Sequence, residues 1–114
     1  MVGESARELA QRLTAAEGAV ALASLAPRST DEWVALAWAL KDDCQVAWNE
    51  EPPRTQRCAD VVEALLQRVA HPEIEAAAAW CRGSALLALG QTEDAMVRLD
   101  EAHRCLQALG QGQR

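Results

Sequence analysis

Residues 79–102 read AWCRGSALLALGQTEDAMVRLDEA, and the spacing within this stretch decides the fold. On both sides of Gly90, apolar residues recur every three or four positions, which is the period of an amphipathic helix. Gly83 and Ala95 are small where two such helices would approach each other, and Leu99 would fill the space between them. The stretch therefore predicts two antiparallel helices joined by a short turn at Gly90.

Prolines divide the rest of the chain into segments of ordinary helix length. Each interval between such breakers has room for one helix. Ser29, with Glu32 three residues later, fits a capping box at the start of one of them. We predict a single domain over residues 1–114, with a leading helix at about 5–25 that Gly18 weakens, a hairpin at 30–70, a second hairpin at 72–109 that Gly110 ends, and a flexible tail at 110–114.

Composition supports a fold made only of helices. The chain of 114 residues contains 24 Ala and 14 Leu but one Ile and no Tyr or Phe. Ala and Leu favour helices, whereas the β-branched and aromatic residues that pack well in sheets are scarce. A chain of this length can bury a core without disulfides or metals. We predict an all-α fold.

Net charge argues against two classes of partner. The formal net charge is −6, and Lys41 is the single lysine, so the field of the protein repels phosphate backbones and anionic lipids. The longest uncharged stretch, residues 18–27, is about half of what a membrane-spanning helix needs. The start of the chain lacks the basic residues of a signal peptide. We expect a cytoplasmic protein that binds neither nucleic acid nor membrane.

The titratable residues do not form a recognisable catalytic or metal site. Cys44, Cys58, Cys81 and Cys105 show no CxxC spacing, and small packing residues are the expected role for cysteines in a reducing compartment. Adjacent acidic residues, such as those at 42–43, point about 100° apart on a helix and are expected to be solvated. We predict no enzymatic activity, no catalytic residue, no metal and no cofactor.

Two histidines and two cysteines receive structural assignments. His71 precedes a proline and is expected to cap a helix or lie between helices, and His103 is expected at the surface near a helix end. Cys44 and Cys58 fall on equivalent close-approach positions and should face each other inside the first hairpin. A redox pair remains the alternative there, since it needs only Cα atoms about 4.4–6.8 Å apart.

The two predicted hairpins share one pattern. A shift of 39 residues superposes the apolar stripe of the first helix of hairpin 30–70 on that of the first helix of hairpin 72–109. A shift of 37 residues does the same for the second helices. The match indicates an internal repeat. The series Ala79-x3-Gly83-x2-Leu86-x3-Gly90-x4-Ala95-x3-Leu99-x2-Ala102 resembles the tetratricopeptide repeat. The resemblance implies a right-handed α-solenoid of stacked hairpins that binds other proteins.

A narrower resemblance concerns the region around the tryptophans. The run from Asp31-Glu32-Trp33 to Trp48, with Trp80-Cys81-Arg82-Gly83 and Leu99-Asp100-Glu101-Ala102, is similar to the helical repeats that precede the caspase-like CHAT domain in bacterial proteins. This implies the recognition part of such a protease, or a separate partner for it. Similar repeats accompany bacterial transcriptional and signalling regulators, which is an alternative interpretation.

In the repeat family, the first helix of each pair lines the concave surface. On that basis the groove residues for a peptide partner are Trp38, Lys41, Gln45 and Trp48 from the first hairpin, and Ala77, Trp80, Ser84 and Leu87 from the second. Indole rings are rigid anchors for peptides. Trp33 and Trp48 could instead replace the missing Phe and Tyr in the core, and Trp80 is the preferred groove residue.

The last predicted helix carries more apolar residues than a single neighbouring helix could cover. Met96, Leu99, Leu106 and Leu109 form a candidate end interface, because a solenoid exposes the face that a further unit would cover. Such a face could bind further repeats of the same array or a protein partner. The alternative is an oligomerisation segment that stacks on copies of itself.

Overall fold

The structure, a computed structural model, describes residues 5–15, 22, 25 and 27–112. These residues form five helices: α1 (Ala6–Ala15), α2 (Thr30–Glu50), α3 (Pro52–Arg68), α4 (Pro72–Ala88) and α5 (Thr92–Gly112). Within the described ranges there is no strand, so the all-α prediction is confirmed. None of these helices is both long enough and apolar enough to cross a membrane.

Most helix boundaries lie within two residues of their predicted places, with two departures. The leading helix is described as α1 as far as Ala15, and the expected effect of Gly18 lies outside the described residues. Gly110 does not end the last helix, which continues to Gly112, so the tail predicted from residue 110 is wrong at least that far. Glycine ends a helix when it adopts a left-handed conformation, and Gly90 is the one described residue that does so.

Side chains cap the first two helices in the same way. The Ser29 side chain accepts a hydrogen bond from the Glu32 backbone, and the Glu32 side chain accepts one from the Ser29 backbone, which confirms the predicted capping box at α2. Ser5 and Glu8 form the same reciprocal pair at α1. Each box satisfies two of the N–H groups that a helix start leaves unpaired.

Pro52 and Pro53 set the sharp turn between α2 and α3. They occupy the first positions of α3, where the missing N–H groups are not needed, and they prevent α2 from continuing. Glu51 has φ −149° and ψ 80°, outside the helical region that a following proline disfavours. It ends α2 through a bond from its N–H to the Ala47 carbonyl and begins α3 by accepting one from Arg54. One residue therefore joins two antiparallel helices.

Gly90 ends α4 through a Schellman motif. Its φ is +79°, its N–H donates to the Leu87 carbonyl, and the Gln91 N–H donates to the Leu86 carbonyl, both at 3.0 Å. These bonds satisfy carbonyls that the last helical turn leaves unpaired. The predicted turn at Gly90 is confirmed.

Gly83 brings α4 and α5 into close contact. A Cβ at this position would lie 2.7 Å from both Cγ and Cδ2 of Leu99 and 3.2 Å from its backbone nitrogen. Ala95, on the facing helix, is fully buried. The small residues that the sequence singles out therefore lie where the second hairpin is tightest.

The hairpins meet through α4, which packs against both helices of the first hairpin. Helices α2 and α4 contact each other directly, and α3 also contacts α4. By contrast, α3 and α5 meet through the long side chains of Glu63 and Arg98, whose charged ends are 3.5 Å apart. Helix α1 packs against α2 and α3 on the other side. The largest fully buried side chains in the resulting core are Leu9, Leu13, Leu22, Leu36, Leu40, Leu65, Ile74, Val61 and Val62, and the larger Trp33 is nearly buried beside them.

Candidate functional site

A groove lies between α2 and α4, where the repeat pattern predicts one. An open cavity of about 410 Å³ is lined by residues from both helices and from α5. Five of the predicted groove residues are among them, together with Leu99 of the close α4–α5 contact. The lining residues are Cys44, Gln45, Trp48, Asn49, Trp80, Ser84, Leu87 and Leu99.

The groove combines apolar surface with neutral polar groups. Trp48 and Trp80 are half-buried, so each indole presents part of its ring to the cavity. Gln45, Asn49 and Ser84 carry amide and hydroxyl groups that can hydrogen-bond to a polypeptide backbone. Of the described residues, no acidic or basic one lines this cavity. Such a surface suits an extended or helical peptide with an apolar side chain as its anchor.

Lys41 adjoins the groove through Trp80. Its Nζ lies 4.6 Å from the centroid of the Trp80 ring, which is within the range of a cation–π interaction. Trp80 therefore contacts Lys41 of α2 and also lines the cavity. The single lysine of the chain therefore positions the residue that the sequence prefers as an anchor.

Three of the eight predicted groove residues, Trp38, Lys41 and Ala77, are not among the residues that line the cavity. Trp38 does not line the cavity, because its indole N–H donates to the Glu73 carboxylate at 3.1 Å and its ring packs against the core. Ala77 is fully buried and presents no surface to a ligand. Trp33 is 4% exposed and has the Arg68 guanidinium 4.8 Å from its ring centroid, as the core alternative for this residue predicts.

The four residues of the candidate end interface on α5 separate into two kinds. Met96 is 58% exposed and Leu106 is 37% exposed, so both present apolar surface to solvent. Leu99 is half-buried against Gly83, and Leu109 is also half-buried. The exposed pair therefore remains available for a partner, whereas Leu99 is mainly part of the hairpin.

A second, more polar depression of about 480 Å³ lies where α1, α2 and α3 meet. Its floor is the carboxylate of Asp43, which accepts hydrogen bonds from the Thr14 hydroxyl at 2.8 Å and from Arg54 Nε at 3.1 Å. Arg54 Nη2 binds the other carboxylate oxygen, which makes the ion pair bidentate. Since these groups satisfy one another, they leave no buried charge for a ligand to pair with, and we assign the depression a structural role.

The prediction that adjacent acidic residues are solvated is wrong for Asp43. The pattern of adjacent acidic residues predicts a solvated face for Asp42 and Asp43, yet the Asp43 side chain is 8% exposed. Its partners come from α1 and α3, 29 and 11 residues away in the chain, so no local spacing reveals them. Arg57 extends the network by donating to the Thr14 carbonyl at 2.6 Å and to Glu51 at 3.1 Å.

Three of the four cysteines form a buried cluster beside the groove. Cys44, Cys58 and Cys81 are free thiols, and Cys58 Sγ donates a hydrogen bond to Asp43 Oδ2 at 3.5 Å. The Cys44 thiol is within bonding reach of the other two, as expected if Cys44 and Cys58 face each other. The bond to Cys44, burial and the charge of Asp43 raise the pKa of the Cys58 thiol far above its ordinary value.

Cys44 is also held in its protonated form. The bond from Cys58 would lower the pKa of Cys44, but the bond to Cys81 and burial outweigh it, and the pKa is raised far above its ordinary value. Because thiolates are the nucleophiles and metal ligands of cysteine chemistry, these thiols act as packing groups at neutral pH.

His71 takes the place that the sequence indicates, whereas His103 is at the surface as expected but lies in the middle of α5 rather than near its end. His71 caps α4, with its Nδ1 accepting a hydrogen bond from the Glu73 N–H at 3.1 Å, and His103 is exposed on α5. Among the described residues, no group of three or more His, Cys, Asp or Glu side chains could hold a metal ion.

Compared with known proteins, the chain matches no family model, no curated protein and no solved structure. The geometry of the groove therefore carries the functional assignment.

Proposed function

We propose that the chain is a non-catalytic scaffold that binds a peptide segment of another protein in the groove between α2 and α4. The observation that supports this most strongly is the convergence of Trp48, Trp80 and Leu87 on one open, uncharged cavity. Pockets of this kind hold aliphatic or aromatic side chains, and indoles are frequent sources of binding energy at protein interfaces.

We also propose that the two hairpins stack as a TPR-like right-handed α-solenoid. The direct contact of α2 with α4, together with the tight Gly83–Leu99 approach within the second hairpin, supports this arrangement. In such a stack the first helices lie side by side and leave one surface for a ligand. A cavity lined by both first helices is consistent with this arrangement.

The sequence resemblance gives the partner class. We propose a caspase-like CHAT protease, or the rest of a protein that contains one, as the polypeptide that this scaffold positions or restrains. We expect a gene for a CHAT-type protein beside this one. The purified product of that gene should bind the chain, and Trp80→Ala should weaken the binding. Binding that Trp80→Ala leaves unchanged would remove this assignment.

Peptide selection tests the groove even when the natural partner is unidentified. We expect a random-peptide display library to yield ligands with one apolar anchor, and Trp80→Ala to weaken their binding by about tenfold or more. Val46→Ala is the matched control, because Val46 is 50% exposed on α2 but does not line this cavity. Far-UV circular dichroism confirms that both variants fold. Equal affinity of the wild type and Trp80→Ala contradicts the proposal.

A further inference from the structure

Most of the large apolar side chains on the surface belong to one end of the molecule. Val46 is exposed on α2, but the other such residues described all follow position 86: Leu87, Leu89, Met96, Val97 and Leu106. Helix α1, at the opposite end, buries its leucines and exposes mainly polar residues. The end formed by α4 and α5 is therefore the apolar one.

On α5, part of this surface has the spacing of a helix-packing seam. Met96, Leu99, His103 and Leu106 follow one another at intervals of three, four and three residues, which places them along one face. We call these four residues the α5 seam. Leu99 joins the seam to the groove, since it also lines the cavity beside Leu87. The seam is about 15 Å long, which is nearly three turns of a partner helix.

Acidic residues border the seam on the side turned away from α4. Glu93 and Asp100 are seven residues apart, so they lie in one row along α5, and both are exposed. Asp100 pairs with Arg104 at 3.2 Å, but the two side chains are 63% and 67% exposed, and exposed pairs of this kind are weak. Both carboxylates are accessible to a basic partner.

We propose that the α5 seam binds an amphipathic helix of a partner protein whose apolar stripe is flanked by Lys or Arg. The apolar stripe would cover Met96 and Leu106, and the basic flank would face Glu93 and Asp100. The net charge of −6 strengthens the attraction for a basic partner. Charge complementarity of this kind fixes the register and orientation of a bound helix.

The same charges disfavour a second copy of this chain as the occupant. Parallel pairing of two seams would place Glu93 against Glu93 and Asp100 against Asp100. Antiparallel pairing about the middle of the seam would still bring the two Asp100 side chains together. Like charges at such positions destabilise helix pairs.

The test uses two synthetic helices of about 18 residues, a length that can hold a helix in solution. Both carry leucine along one stripe, but one has lysine and the other glutamate on the flanks. We expect fluorescence anisotropy to show that the lysine peptide binds, more tightly at low salt, and that the glutamate peptide does not. Equal binding of both peptides overturns the proposal.

Two pairs of variants locate the binding surface. Met96→Gln with Leu106→Gln should weaken binding of the lysine peptide about tenfold. Val97→Gln should change it less than about twofold, because Val97 is as exposed as Met96 but points about 100° away.

Glu93→Gln with Asp100→Asn should weaken binding of the lysine peptide about fivefold. Asp42→Asn with Glu50→Gln removes the same amount of charge from another surface and should not weaken it. Equal losses in test and control variants overturn the proposal.

Two further measurements separate this surface from its alternatives. Trp80→Ala should leave the lysine peptide bound, since the anchor of the groove lies outside the seam, and loss of binding would place the peptide in the groove instead. Light scattering of the chain alone should give the monomer mass of 12.3 kDa. A dimer that Met96→Gln with Leu106→Gln dissociates would assign the seam to a second copy and overturn the proposal.

Discussion

At the junction of α1, α2 and α3, the buried carboxylate of Asp43 accepts hydrogen bonds from Thr14 and Arg54, whereas between α4 and α5 the contact depends on the missing side chain of Gly83. The first contact is polar and needs every partner in place. The second is steric and needs one position to stay empty. Removal of side-chain atoms should therefore destabilise the junction. Addition of atoms should destabilise the contact between α4 and α5.

The largest effect is expected at the polar junction. Asp43→Ala leaves the guanidinium of Arg54, which is 22% exposed, without its carboxylate, and should lower the free energy of unfolding by about 3 kcal/mol. Urea unfolding followed by circular dichroism measures this. Asp42→Ala is the control, because Asp42 is the exposed neighbour on the same helix. Equal stabilities of the two variants would mean that the junction is not held by this network.

A smaller loss is expected when an atom is added to the steric contact. Gly83→Ala should destabilise the protein by about 1–2 kcal/mol, because crowding against Leu99 exceeds the gain in helix propensity. In a Leu99→Ala background the same substitution should become neutral or stabilising, which a double-mutant cycle measures. A stabilising Gly83→Ala in the wild-type chain would show that α4 and α5 do not approach closely.

The smallest effect concerns the capping box at the start of α2. Hydrogen bonds from Ser29, first from its backbone and then from its side chain, lower the pKa of Glu32 below its ordinary value of 4.5. A carboxyl whose pKa is lowered by folding stabilises the protein above the unfolded value, and this contribution is lost as the pH falls through the folded value. Glu32→Gln keeps the hydrogen bonds but removes the titration.

The variant should therefore show a shallower loss of stability between about pH 5 and pH 3 than the wild type. Urea midpoints at several pH values in that range give the comparison. Asp31→Asn is the control, since it removes a charge from the same first turn without changing the box. A slope that Asp31→Asn reduces as much as Glu32→Gln would assign the effect to the field at the helix start rather than to the capping bonds.

Local features of the fold could be predicted because their causes are local. Pro52-Pro53 and Gly90 determine turns through their own backbone preferences, and the capping box at α2 needs only Ser29 and Glu32. Gly110 shows the limit of this reasoning. Glycine permits a helix to end but does not require it, and Gly110 lies within α5.

The groove was predictable from repetition, whereas the polar junction was not. Equivalent positions in two hairpins identify Gln45, Trp48 and Ser84 as neighbours, because stacking two similar units determines which faces meet. The same shift of 39 residues superposes Asp43 on Arg82, which carries the opposite charge, so repetition does not predict Thr14 and Arg54 as the partners of Asp43. The hydrogen bond of Trp38 to Glu73 is a similar case, because it depends on how far α4 is displaced along α2.

The central claim is that α2 and α4 lie side by side and leave a binding groove with Trp48 and Trp80 on its surface. The four indole N–H signals in a proton–nitrogen NMR spectrum, followed while a display-selected peptide is added, test it most directly. We predict that the signals of Trp48 and Trp80 shift and that the signal of the buried Trp33 does not. Shifts at Trp33 with none at Trp48 or Trp80 would contradict the claim.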